Sequence, residues 1–297
     1  MEWTELLQKA INYMEAHLLE DVNYEDVAHY LHMLNYNFHR TFSFMAGMTA
    51  NEYIRNRRLS LAGQELQESN AKVIDVALKF GYDTPESFTK AFTRFHGVAP
   101  KYAKQRGTEL CLFNPLVIKI SMEGGKSMDY RIEEAEKLVF LALVRAFRNE
   151  SINEQGNREI PDFWTECHKN NLVEPLRELR PEGKKDLFGL GTPTKNGEST
   201  FDYGIGIKLD QDTKPFKEET VRTNGYKFWE VPACTYVVLK CFGQDGDCIS
   251  QMWSRFYKEF LPQTGYEMMD ACDFEIYPEQ GEPGLFAELW IPIRKKA

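Results

Sequence analysis

Carboxylates set beside aromatic rings are the residues of this chain whose types and spacing most directly suggest chemistry. In Phe274-Glu275-Ile276-Tyr277, and again in Phe286-Ala287-Glu288-Leu289-Trp290, an acid and a ring stand two residues apart. Side chains alternate between the two faces of a strand, so residues two apart share a face. Glu275 and Tyr277 would then look one way, and Phe274 and Ile276 the other. Ala287, Leu289, Ile291 and Ile293 would form an apolar face under a helix, with Phe286, Glu288 and Trp290 opposite. In 201–207, Asp202, Gly204 and Gly206 oppose Phe201, Tyr203, Ile205 and Ile207. A carboxylate among rings favours an organic cation, because the ring faces and the anion both attract positive charge. Glycines leave room for it, and the rings supply flat contact. The expected ligand-binding residues are Glu275, Tyr277, Glu288, Trp290, Phe286 and Asp202. They are expected on the sheet face away from the helices, with the Glu275 and Glu288 faces corresponding. Gln in place of Glu275 is expected to weaken a cationic ligand far more than a neutral one of the same shape and to leave the stability of the free protein nearly unchanged. A carboxylate next to Tyr277 or Trp290 could instead act as a general base.

The second chemical group is basic and lies on a segment that occurs twice. Asp26-Val27-Ala28 returns 49 residues later as Asp75-Val76-Ala77. After a one-residue slip, Phe38, Arg40, Phe42 and Gly47 return as Phe88, Lys90, Phe92 and Gly97. Each copy reads as a short helix, a turn, a second helix with apolar residues four apart, and a closing Gly. Helix-turn-helix units have this form, and two of them suit two successive DNA grooves. Before the first copy, apolar residues from Trp3 to Leu18 make a helical stripe. Asn23 is expected to cap one short helix and Asn35 the next, with Phe38, Phe42 and Met45 inward. That leaves Tyr36, Asn37, His39, Arg40 and Ser43 facing out. Residues 50–67 read as a rod of about 27 Å, long enough to hold two reading heads about one DNA turn apart. Thr84 caps the last helix, with Phe88, Phe92 and Phe95 inward and Pro85, Glu86, Ser87, Thr89, Lys90 and Arg94 outward.

These strings resemble the AraC/XylS DNA-binding domain. The match runs over about residues 5–106, through Phe-x-Arg-x-Phe, MAGMT, EYIRNRRLSLA, IDVALKFGYDTPESFTKAF and GVAPKY. The resemblance implies base reading by Tyr36, His39 and Arg40 in the first helix, with Asn37 beside them as a further DNA-binding residue. In the second it implies Pro85, Glu86, Ser87, Thr89 and Lys90. Arg40 suits a guanine edge and Glu86 a cytosine amine. Lys90, Arg94 and Lys101 also suit phosphate. Asn35 and Phe38 stand where Ser and Leu are frequent in that family, which bears on the bases read.

A second, weaker repeat follows. Strand-like YRIEEA and KLVFLALVRAF, a helix from about Pro161, then FGLG and FDYGIGIKL are echoed by YKFWEV, CTYVVLKCF, SQMWSRFYKEFL, FEIY and LFAELWIPI. Phe163-Trp164 echoes Met252-Trp253. Two strand-strand-helix-strand-strand modules, related by a pseudo-twofold axis, would leave a cleft between them. This half is similar to the GyrI-like effector-binding domain over about 128–296, through IPDFW, FDYGIGI, VPACTYVVLKCFG, FEIY and LWIPI. The similarity implies a hydrophobic or cationic small molecule bound around a central Glu, with Glu275 first and Glu288 second as the matching position.

The chain is thus expected to be multidomain. An all-α double helix-turn-helix domain (1–107) is followed by a linker (108–127) and an α+β GyrI-like domain of two modules (128–297). Net charge is −9, and it is unevenly placed. Of 36 basic and 45 acidic residues, 12 and 13 fall in 1–106, leaving 24 and 32 beyond. Lys90, Arg94, Lys101, Lys104 and Arg106 form a stretch without an acid, and a local positive face is what phosphate needs. Six cysteines without a CxxC pair, no signal-like start and no run near the roughly 20 apolar residues of a membrane span suit a cytoplasmic protein with reduced thiols. His29 and His32 lack further ligands at metal spacing, and Gly204-Ile205-Gly206 lacks the third glycine of a dinucleotide loop. No cofactor, metal or catalytic set is expected. The partners expected are double-stranded DNA, bound by the chain as a monomer, a small-molecule effector, RNA polymerase and no membrane. The alternative is a ligand-sequestering or small hydrolase activity in the second domain.

Overall fold

Helices form where apolar stripes meet capping residues. The computed structural model describes residues 3–105, 107–118, 127–153, 156–157, 159–193, 199–217, 219, 221 and 225–296. Arg106, in the basic stretch, and 124–126, at the end of the expected linker, lie outside them. In chain order the N-terminal helices are α1 (Trp3–Ala16), α2 (Tyr24–Tyr30), α3 (Asn35–Ala46), α4 (Ala50–Glu68), α5 (Val73–Lys79), α6 (Pro85–His96) and α7 (Pro100–Ala103). Asn23 caps α2 in a capping box with Asp26, and Thr49 caps α4 in another with Glu52. Thr84 caps α6 by accepting from the Ser87 amide at 3.2 Å. Asn35 does not cap α3. It is the first helical residue, after Leu34, whose side chain makes no cap bond. Gly47 and Gly97 close α3 and α6 at φ 70° and 77°, a left-handed conformation that costs glycine little. Thr84→Ala should destabilise the helical unit by about 1 kcal/mol, read from its chemical unfolding midpoint, because the first turn of α6 loses its cap.

The chain divides into two compact units. The first comprises residues 1–33 and 48–123; the second comprises 34–47 and 124–297. Helix α3 therefore groups with the second unit, although helices of the first flank it in sequence. In the first unit, Val76, Ala77, Phe80, Phe88 and Phe92 pack with Leu59, Ala62 and Leu66 of α4 into one core. Arg57 of α4 is spent on structure. Its guanidinium pairs with Glu15 at 2.8 Å and donates to the Phe113 carbonyl.

The second unit is built on an antiparallel sheet of nine strands among the described residues. They are β1 (Tyr130–Ala135), β2 (Leu138–Arg148), β5 (Leu187–Pro193), β6 (Thr200–Lys208), β7 (Tyr226–Val231), β8 (Cys234–Phe242), β9 (Tyr266–Met268), β10 (Asp273–Tyr277) and β11 (Leu285–Lys295). A separate hairpin joins β3 (Ile152–Asn153) to β4 (Gly156–Asn157). Helices α8 (Glu159–Lys169), α9 (Glu174–Arg177) and α10 (Asp247–Arg255) complete it, α10 running on into a π-helical turn at Phe256–Phe260.

The strand order β1-β8-β11-β10-β5-β6-β2-β7 is symmetric about the β10–β5 junction. Each strand-strand-helix-strand-strand module lends its first strand to the other: β1 pairs with β8, and β7 with β2. One sheet face carries Leu141, Leu143, Phe147, Phe201, Tyr203, Ile205 and Ile207 against Phe163 and Cys167 of α8. The other face buries Phe140, Phe188, Tyr236 and Phe274, with Trp229 and Trp290 beside them. Phe140 and Phe188 meet at 5.1 Å in this second cluster, and a Cβ on Gly206 of β6 would collide with the Leu141 carbonyl and Ala142 of β2.

Candidate functional site

The site lies where the two modules meet. Strands β10 and β5 pair with Asp273 opposite Gly191, Glu275 opposite Gly189 and Tyr277 opposite Leu187. Alternation puts Asp273, Glu275 and Tyr277 on one face, together with Tyr203 of β6. This is the helix-bearing face, not the face away from the helices. The glycines of β5 are the floor. A Cβ on Gly189 would fall on the Tyr203 hydroxyl and the Glu275 carboxylate, and one on Gly191 would lie 3.2 Å from Asp273 Oδ2.

Glu275 is buried, and the Tyr203 hydroxyl donates to it at 3.1 Å. Trp164 Nε1 of α8 donates to that hydroxyl at 3.0 Å, and the Trp164 ring meets Tyr277 at 4.7 Å. Phe286, beside a bulge in β11, meets Tyr277 edge-on at 5.6 Å. Among the described residues no ion pair reaches Glu275. Burial, and then the neighbouring Asp273, push its carboxyl up from 4.5 to about 8. Such a group gains a full charge readily once a cation arrives.

Asp273 already has a cation. Arg40 of α3 forks onto it, Nη1 and Nη2 each lying 3.0 Å from Oδ1. The Arg40 guanidinium lies 4.0 Å from the Trp253 ring of α10 and 4.5 Å from the Tyr36 ring, and it donates to the Tyr36 hydroxyl at 2.8 Å. Burial works against the Arg40 charge, but Asp273 more than offsets it and the guanidinium is held charged. Burial likewise raises Asp273, with Arg40 opposing. Tyr36 packs on Phe201 at 4.8 Å, and Asn37 donates to Asp270.

Several expected positions are thereby corrected. Tyr36, Asn37, His39, Arg40 and Ser43 do not face out; all five are buried. Glu288 and Trp290 do not share the face of Glu275. The register pairs Glu275 with Leu289, Ile276 with Glu288 and Phe274 with Trp290. Glu288 instead takes a bidentate pair from Arg131, at 2.9 and 2.6 Å, and its carboxyl sits below the usual range. Burial opposes that shift, and Arg131 drives it. Trp290 stacks on Phe274 at 5.2 Å on the far face. Asp202, opposite Thr192 and Ala146, also lies on the face away from Glu275. Of the expected ligand residues, Glu275, Tyr277 and Phe286 come together. Asp273, Tyr203, Trp164, Trp253, Gly189 and Gly191 join them without having been singled out. Among the described residues no cluster of His, Cys, Asp and Glu could hold a metal ion.

The second repeat keeps most of the expected geometry. Phe88 and Phe92 of α6 are buried and Phe95 is half-buried, with His96 rather than Phe95 completing the buried face, while Pro85, Glu86, Ser87, Thr89, Lys90, Thr93 and Arg94 form one exposed face. No helix among the described residues is long and apolar enough to cross a membrane.

Comparison with known proteins divides the chain in two. A family model for integron-associated effector binding proteins (Cass2) matches residues 131–293, and a helix-turn-helix domain model matches 27–106. The uncharacterized HTH-type transcriptional regulator YbfP of Bacillus subtilis is 34% identical over 100 residues, which are 34% of this chain and 34% of that protein. The match thus spans about a third of that relative's length. The HTH-type transcriptional activator AarP of Providencia stuartii is 32% identical over 115 residues, 38% of this chain and 85% of AarP. The solved integron cassette protein VCH_CASS2, from the mobile metagenome of Vibrio cholerae, is 18% identical over 56% of this chain and 95% of its own, with a TM-score of 0.39.

Proposed function

The chain belongs to the family of integron-associated effector binding proteins and carries an AraC-type helix-turn-helix domain, and from that premise we propose that it is a DNA-binding transcription regulator governed by a small molecule. The exposed face of α6 supports the DNA-binding half. It presents Glu86, Ser87, Thr89 and Lys90 toward a groove, with Arg94 at its end for phosphate. The effector reading rests above all on one observation. Glu275 is buried among Tyr203, Trp164 and Tyr277, with no ion pair of its own among the described residues, over a floor of glycine. A flat organic cation satisfies both the carboxylate and the rings, and quaternary ammonium groups are the chemistry such cages take. Phe286 closes one side of the aromatic lining.

Gel shifts of the full chain on the DNA upstream of its own gene test the DNA-binding half. Affinity should fall steeply with salt as counterions are released. Arg94→Ala should weaken specific and random DNA alike and reduce the salt slope by about one. Glu86→Ala should relax the preference at one base pair. No difference between upstream and random DNA would contradict a regulatory role.

A further inference from the structure

The two repeats carry equivalent reading helices in opposite states. The outward face of α6 is exposed, whereas every side chain of α3 from Tyr36 to Phe44 is buried. No base edge can reach Tyr36, Asn37, His39 or Arg40 while α3 stays where it is. What holds it is chemically specific. Arg40 lies between two rings and on a buried carboxylate, two residues along β10 from Glu275, which no ion pair reaches among the described residues. That is the environment a cationic guest of the cleft would take. The fit of α3 is also incomplete. Among the described residues Asn37 Oδ1 and Arg40 Nε are buried without a hydrogen-bond partner, and a buried polar atom left unpaired opposes docking.

We propose that α3 is the resident occupant of the effector cleft: Arg40 holds the place of a cationic effector, and such an effector expels the helix and frees it to read DNA. The proposal rests on the reading of the cleft as a cation site. A ligand that binds only the vacated cleft shifts the population towards it, as far as its differential affinity for the two states allows. The regulator would then read DNA with α6 alone in the absence of effector and with both helices in its presence.

Hydrogen exchange on the full chain tests this without DNA, with benzyltrimethylammonium as the probe cation. Amides of 35–46 should exchange slowly in the free protein. Saturating cation should speed their exchange at least about tenfold, and Asp273→Asn should do so alone, while β2 and β6 keep their protection. On upstream DNA the hydroxyl-radical footprint should then lengthen from about one groove turn to two, with affinity rising about tenfold or more. If titration shows the cation binding while 35–46 stays protected, the displacement is overturned and the reading of the cleft survives. If Asp273→Asn releases α3 but the cation neither binds nor releases it, the effector gating is overturned together with that reading. If Asp273→Asn also unprotects the sheet, it has failed to fold, and the cation arm on the unmodified chain decides.

Discussion

Glu275→Gln should stabilise the free protein by about 3–4 kcal/mol at pH 8 and by less than about 1 kcal/mol at pH 5. The native state keeps the Glu275 proton up to about pH 8, while the unfolded chain loses it near 4.5. Between those values the native state binds more protons than the unfolded one, so stability falls as pH rises. Gln has nothing to ionise and can still accept from the Tyr203 hydroxyl, so its stability should be nearly flat across the window. A surface glutamate would show no such effect; burial makes the difference. Unfolding of both proteins from pH 5 to 9 checks it. A variant no more stable than its parent at pH 8 would mean that the native carboxyl is hydrated. A gain in stability from a substitution that costs binding is the usual trade at functional sites.

Gly189→Val is expected to be the most damaging substitution in the floor of the cleft. Its Cβ alone would occupy the space of the Tyr203–Glu275 hydrogen bond, so that pair must separate inside a buried site. Overpacking of this kind costs about 1–3 kcal/mol, and loss of a buried hydrogen bond adds to it. Cation binding should vanish as well. Gly191→Ala is the control. Its Cβ would sit 3.2 Å from an Asp273 oxygen, a side-chain atom that can move by a few tenths of an ångström, so a loss near 1 kcal/mol is expected. Equal stability losses for the two variants, measured by chemical unfolding, would contradict the role of Gly189.

The particular residues show what a single sequence can and cannot carry. The helix-turn-helix repeat was legible because Phe88 and Phe92, four apart and followed by Gly97, repeat Phe38, Phe42 and Gly47, and local periodicity is enough to build such helices. The module strands were legible for the same reason. Alternation within β10 also held, and within β11 it held from Ala287 onward, the bulge between Leu285 and Ala287 turning Phe286 away from Glu288 and Trp290. What alternation cannot give is register between strands, and a slip of one residue turns every side chain over. That is why Glu288 and Trp290 were expected beside Glu275 but lie on the far face, and why Asp202 does too. Asp273 was within reach, since it stands two residues before Glu275 on the same strand face. So were Gly189 and Gly191, two apart in the strand FGLG. The paired tryptophans of the repeat, Trp164 and Trp253, were a signal left unused, each ending up against one of the charged or hydroxyl groups of the cleft.

The burial of α3 had no local signal. Its polar face reads as solvated because the partners that bury it, Asp270 and Asp273, stand 233 residues away in sequence. Asn35 looked like a cap because Asn favours that position, yet Leu34 occupies it and the helix starts with no side-chain cap. Long-range pairing outweighed the first of these local expectations.

Isothermal titration with a matched pair of ligands tests the central claim most directly: benzyltrimethylammonium against neopentylbenzene, its uncharged carbon isostere. The account predicts that the full chain binds the cation at least about tenfold more tightly at pH 8. Binding should release a proton as Glu275 ionises, so the cation's affinity should fall toward pH 6, and Glu275→Gln should erase the preference. Equal affinities for the two ligands, or a preference that Glu275→Gln leaves intact, would contradict it.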